Sequence, residues 1–234
     1  LLGGPLFTRR YAAMRASLEA CDRLIAPSEF VRDVLVGEGV ERSKFEVISP
    51  ATELPSAPSA PPLPGAVPRF VYAGDIRRSK GAALLLEALE WVESPCEVVL
   101  HGGPHAPPSP RELEFEAELK ALSKGQAVRF AGRYAPGALA AVLDGALAAV
   151  VPSLVRESFG RTANEALLAG VPVLVPNEGG LAEQVEEGVN GWPFEPRSAG
   201  SPAQAMGRSI PDGSAMSPPN IQAGTLERPG APRF

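Results

Sequence analysis

The chain has 234 residues, a formal net charge of −5 and a pI of about 5.3, with 44% hydrophobic and 21% charged residues. That size and balance suit one soluble globular domain with part of a second, and an acidic chain argues against nucleic acid as a partner, since its binders show a basic face. No run approaches the roughly 18 apolar residues of a membrane span, and no signal peptide is recognisable. Cys21 and Cys96 have no CxxC or Cys/His partner, which argues against a disulfide framework or a zinc site. They read as two small buried hydrophobes in a reducing cytoplasm. The chain opens on Leu1, mid-pattern, and reads as a fragment or truncated gene product.

In chain order, RLIAPS (23–28) predicts a short strand, and Ser28 can cap a helix through EFVRDVLVGEG, where Phe30, Val31, Val34 and Leu35 recur at helical spacing. FEVIS (45–49) follows as a strand, so residues 1–50 read as a partial βαβ piece. Residues 51–68 hold six prolines among Ser, Ala and Gly and predict an extended linker. From 69 to 196 the alternation is regular. Strands RFVYAG (69–74), CEVVLHG (96–102), AVRFAG (127–132), ALAAVVPS (146–153), PVLVP (172–176) and GWPFE alternate with helices over 80–92, 110–124, 136–144, after Gly160, and near 180–187. Short apolar strands ending in Gly or Pro and separated by helices describe an α/β, Rossmann-like doubly wound parallel sheet covered on both faces. His101 and His105, flanking a Gly-Gly-Pro turn, read as loop residues. Residues 197–234 hold six prolines, five glycines and five serines with no apolar period, and predict a disordered tail. So abrupt a change also suits a frameshifted end.

Ligands of open parallel sheets bind where βα loops meet helix N-termini. The loop AGDIRRSKG (73–81) sets Arg77, Arg78 and Lys80 before a helix, a pattern suited to a phosphate or diphosphate. It is neither a Walker A motif nor GxGxxG, which counts against a dinucleotide oxidoreductase. The loop VVPSLVRESFGRTANEALLAGVPVL (150–174) places Glu157, Ser158, Phe159 and Gly160 where a helix begins, with Ser158 placed to cap it, and Glu165 on its second turn. Two carboxylates so placed can accept hydrogen bonds from sugar and ribose hydroxyls while the helix end takes the intervening phosphates. Taken alone, the basic loop also reads as a solvated surface and the glutamates as a solvated helix face.

In order, Pro-Ser, Glu157, Phe-Gly, Glu165-Ala, Gly and Pro-Val resemble the signature of the group 1 glycosyltransferases, a retaining family of GT-B fold. NEGGLAEQVEEGVNGWPF (177–194) resembles its Gly-Gly, Glu, Asn-Gly ending, residues 23–50 the close of its N-terminal domain, and VYAGDIRRSKG its phosphate loop. The likeness spans residues 20–196 and implies the C-terminal, donor-binding half of a GT-B fold (69–196) after a remnant of the N-terminal, acceptor domain. By this resemblance Lys80 and Arg77, with Ser158, Phe159 and Gly160, would contact the diphosphate of a nucleotide-sugar donor. Glu157, the candidate for a catalytic label, would contact the transferred sugar, and Glu165 the ribose. Arg133 and Tyr134 would border the base. No metal or other cofactor is implied, since no DxD-like motif appears. The acceptor would be a sugar, lipid or other hydroxyl compound, and the absent N-terminal domain leaves room for peripheral membrane association.

The family often carries Arg after the phosphate-loop Gly where Asp75 stands, so Arg77 or Arg78 would have to supply that charge. Ala51 likewise follows Pro50 where Gly is usual. Most of the N-terminal domain has no counterpart, and no crossover helix is visible in residues 197–234. The alternatives are another GT-B enzyme such as a sugar-nucleotide epimerase or a phosphorylase, and a non-catalytic nucleotide-binding module.

Overall fold

The structure, a computed structural model, describes residues 5–52, 59–103 and 107–210. The chain forms two compact units, Leu1–Ala51 and Thr52–Phe234.

In the first unit, helix α1 (Pro5–Ala20) precedes strand β1 (Leu24–Ala26), helix α2 (Glu29–Gly37) and strand β2 (Phe45–Val47), and the strands pair in parallel. Ser28 caps α2 as its position suggests: the Val31 backbone amide donates to the Ser28 hydroxyl at 3.2 Å. No element was expected over α1. Its Ala, Arg, Met and Leu favour a helix but form no apolar stripe, and almost all of its described side chains are exposed.

The second unit is a six-stranded, wholly parallel sheet in the order β5-β4-β3-β6-β7-β8. Its strands are β3 (Arg69–Ala73), β4 (Glu97–His101), β5 (Val128–Gly132), β6 (Ala148–Val150), β7 (Val173–Pro176) and β8 (Gly191–Phe194). Between them run α3 (Ala82–Ala88), α4 (Pro110–Leu122), α5 (Leu139–Val142), α6 (Arg161–Leu168) and α7 (Gly179–Ala182), and α8 (Gly200–Ser209) follows β8. Successive strand residues point to opposite faces, so both faces of the sheet are buried. Phe70, Tyr72, Val98, Leu100 and Leu174 pack with α3, α4 and α8 on one side. Val71, Val99, Val173 and Val175 pack with α5, α6 and Leu181 on the other. This is the doubly wound α/β sheet expected from the alternation. Helix α4 begins on a capping box, Ser109 with Glu112, and Pro110 at its first position.

Four expectations change. Residues 197–210 are not a tail: α8 buries Pro202, Ala203, Ala205, Met206 and Ser209 and packs on β8 and α3. Small side chains let α8 lie close to the sheet, and their Pro/Gly/Ser neighbours imitate a linker composition; residues 211–234 lie outside the described residues. The described part of the proline-rich segment is irregular, with a turn at Pro64-Gly65, and is stitched down. The Ser59 amide donates to Ala169 O at 2.9 Å, its hydroxyl to Ala140 O at 2.6 Å, and the Ala60 amide to Asp144 Oδ1 at 2.8 Å. His101 closes β4 and is half-buried, not a loop residue, while His105 lies outside the described residues. Both cysteines are free, but Cys21 is exposed just past α1 and Cys96 only partly buried. No helix among the described residues is long and apolar enough to cross a membrane.

Candidate functional site

The strand order reverses between β3 and β6, so the loops after these two strands diverge and leave a crevice at their carboxyl ends. A cleft of about 430 Å³ opens there. Its walls are the end of β3 (Tyr72 to Asp75), the end of β6 (Val150, Val151), Lys80, and the segment Glu157, Ser158, Gly160, Arg161 and Thr162. Two stretches about 70 residues apart in the chain thus meet where the strand order leaves a gap.

Lys80 ends a 3-10 turn (Arg78–Lys80) that hands over to α3 through Gly81. Gly81 is in the left-handed region (φ 73°), and a Cβ there would overlap the Pro152 carbonyl. That close approach locks the turn onto the loop after β6, as does the Leu154 amide donating to Ser79 O at 2.9 Å. Of the three expected cations only Lys80 lines the cleft. Arg78 turns to α4, forming a two-pronged pair with Glu118 and lying over the Phe115 ring at 4.7 Å. Arg77 is exposed, 3.8 Å from Asp75. A cation not singled out from the sequence, Arg161, lines the cleft instead.

Lys80 Nζ donates to Glu157 Oε1 at 2.7 Å, and the buried Ser153 hydroxyl donates to the same oxygen at 2.9 Å. Ser158 lines the cleft but is not the cap residue of α6: Gly160 occupies the cap position at φ 91°. Packing keeps this position a glycine, because a Cβ there would overlap the Leu181 side chain. Phe159 is buried, so any contact with a ligand would come from its backbone. The Gly179-Gly180 turn packs on the same loop. A Cβ at Gly180 would strike the backbone of Ser158 and Phe159, and the Gly180 amide donates to Glu157 O at 2.8 Å. Next to it Glu178 pairs with Arg156 at 3.2 Å and Arg197 at 2.6 Å, tying this turn to the residue before Glu157.

Glu165 lies on the second turn of α6 as expected, accepting from Arg161 at 3.4 Å, but it is not among the residues that line the cleft. Arg133 is exposed and donates to Gly103 O at 3.2 Å; Tyr134 meets His101 edge to face, with ring centroids 6.1 Å apart. Burial, then the charges of Glu165 and Asp75, raise the Tyr134 phenol above its usual pKa. Burial, then the charges of Asp75, Tyr134 and Glu157, raise that of Tyr72, whose hydroxyl donates to Asp75 O at 2.6 Å. Both phenols therefore stay neutral, and Asp75 acts on both while Glu165 of α6 acts on Tyr134, so the ends of β3 and β5 and α6 form one electrostatic neighbourhood. Burial, then Arg129, lowers the His101 pKa and favours the neutral imidazole. Among the described residues no group of three or more His, Cys, Asp or Glu could hold a metal ion.

Sheet order and a cleft at the switch point, where a lysine meets a carboxylate, define a Rossmann-like α/β domain. The family model "Glycosyl transferases group 1" matches residues 56–215, and the chain belongs to that family. The match runs past residue 196 and takes in α8. Among curated relatives, a lipopolysaccharide 1,2-N-acetylglucosaminetransferase of Salmonella typhimurium is 32% identical over 149 residues, covering 61% of this chain and 39% of the relative. A D-inositol 3-phosphate glycosyltransferase of Corynebacterium urealyticum is 30% identical over 192 residues, covering 79% of this chain and 44% of the relative. The chain therefore spans less than half the length of these relatives. Among solved structures, sucrose-phosphate synthase from Thermosynechococcus elongatus superposes with a TM-score of 0.73 at 27% identity, covering 86% of this chain and 52% of that one. Anabaena HepE in complex with UDP and glucose superposes with a TM-score of 0.73 at 22% identity, covering 88% of this chain and 58% of that one, and shows the shared fold.

Proposed function

We propose that this chain carries the donor-binding half of a glycosyltransferase that moves a sugar from a nucleotide diphosphate sugar to an acceptor hydroxyl with retention. The observation that carries the reading is the meeting of Lys80 and Glu157, from opposite walls of the cleft, beside the backbone of Ser158 to Gly160. Lys80 and the amides at the start of α6 suit the diphosphate, Glu157 the transferred sugar, and Glu165 on α6 the ribose, with Arg133 and Tyr134 towards the base. In the transfer the bond from the anomeric carbon to the diphosphate oxygen breaks and a bond to the acceptor oxygen forms on the same face. The hydroxyl proton leaves with the departing diphosphate. The main catalytic task is to stabilise charge growing on that diphosphate, which the Lys80 ammonium and a helix N-terminus serve. No metal is assigned to this step.

The cleft's own charges balance: Asp75 and Glu157 against Lys80 and Arg161. A diphosphate is therefore drawn in by exchange rather than by excess positive charge, taking Lys80 from Glu157. The test is calorimetric titration with nucleoside diphosphates and their sugars, followed by transfer to hydroxyl acceptors with the product's anomeric configuration read by NMR. Binding and a retained configuration are expected. Inversion would overturn the stereochemical reading, and failure to bind any nucleoside diphosphate would overturn the donor reading.

A further inference from the structure

We propose that Ser153 is a positioning residue, whose buried hydroxyl holds the Glu157 carboxylate in place for the transferred sugar once a donor diphosphate has drawn Lys80 away. The inference rests on the donor reading above and assigns a role to a residue outside the cleft's lining.

Glu157 Oε1 has two partners of different kinds. Lys80 reaches it at 2.7 Å on a long flexible stem, with its side chain 39% exposed, and any phosphate in the cleft competes for its ammonium. Ser153 reaches it at 2.9 Å from a residue only 1% exposed. A short side chain on a packed backbone cannot follow a ligand. The hydroxyl has one proton and two other acceptors nearby, Val155 O at 3.2 Å and Ser79 O at 3.4 Å. Both are longer and neutral, so the charge-assisted bond to the carboxylate takes the proton. The backbone that carries Ser153 is fixed in turn, since the next amide, of Leu154, donates to Ser79 O at 2.9 Å.

The consequence separates two ligands. A nucleoside diphosphate needs Lys80 released and asks nothing of Glu157. A nucleotide sugar needs Glu157 held where its hydroxyls arrive, at the moment Glu157 has lost its cation. Without Ser153 the carboxylate side chain, 19% exposed, would keep neither partner and swing towards water.

The full chain is titrated by calorimetry with matched pairs: UDP and UDP-glucose, GDP and GDP-mannose, ADP and ADP-glucose. The pair that the unaltered chain binds most tightly is then used for the variants. Ser153→Ala is expected to lose about tenfold in affinity for the nucleotide sugar and nothing for the nucleoside diphosphate. In a Glu157→Ala background it should cost nothing further. Equal loss for both ligands, or for neither, would overturn the proposal, as would an additive loss on Glu157→Ala. Should Ser153→Ala fail to fold, Ser153→Cys keeps the volume with a weaker donor and must show a smaller loss confined to the sugar; loss for both ligands again overturns it. If the unaltered chain binds none of the pairs, the donor reading itself falls and this inference with it, an outcome distinct from a chain that binds and a variant that does not discriminate.

Discussion

Lys80 and Glu157 neutralise one another across the cleft, and the consequences of that pair are asymmetric. For stability the pair matters little, because the Lys80 side chain is 39% exposed and an ion pair open to water contributes below about 1 kcal/mol. For a diphosphate the same ammonium is a direct, charge-assisted donor, with an expected contribution of about 1.5 kcal/mol after its partner exchange, or about tenfold in affinity. We therefore expect Lys80→Ala to leave thermal stability nearly unchanged. Calorimetry should show it weakening a nucleoside diphosphate about tenfold while sparing the nucleoside. Equal loss for both would contradict the phosphate role. Arg77 and Arg78 make a useful contrast: equally cationic and within three residues of Lys80, they are directed to Asp75 and Glu118 instead.

The loops that shape the cleft are held by backbone contacts that leave no room for a side chain. At Gly81 the left-handed backbone alone costs a non-glycine residue about 1–2 kcal/mol, and the overlap with the Pro152 carbonyl adds a packing strain of about 1–3 kcal/mol. Gly81→Ala is thus expected to destabilise the chain by about 3 kcal/mol, read as a lower denaturation midpoint. Helix α8 is anchored differently, through Met206, Ala205 and Ala203 against β8 and α3. Met206 is fully buried, so Met206→Ala should cost about 2–5 kcal/mol. A loss below about 0.5 kcal/mol, the range of surface substitutions, would mean that α8 is not part of the cooperative fold. Ser28 shows how much of an element can be legible: it caps its helix as residue type and position imply, because a cap is settled within three residues. Ser158 shows the limit. Its type and position also suggest a cap, yet Gly160 holds the cap position, where a Cβ would overlap Leu181, 21 positions on.

Every residue lining the cleft belongs to the second unit, Thr52–Phe234, which has its own sheet and two buried clusters. A chain consisting of residues 52–234 is accordingly expected to bind a nucleoside diphosphate with the affinity of the whole chain. A marked loss in calorimetry would place part of the diphosphate site in the first unit.

The alternation of short apolar strands with helices was enough to specify a doubly wound sheet, because periodicity and turn residues act locally and six strands repeat the same signal. Family membership was likewise legible in the order of Pro-Ser, Glu157, Phe-Gly and Glu165. What could not be read was who meets whom. The pairing of Lys80 with Glu157 joins positions 77 apart, and Arg78 with Glu118 positions 40 apart. Those distances close only when the strand order places β6 beside β3 and α4 beside α3. The burial of Ser153 and the packing of α8 belong to the same class. Each depends on which surfaces the sheet brings together, and a residue's type and near neighbours carry no record of that.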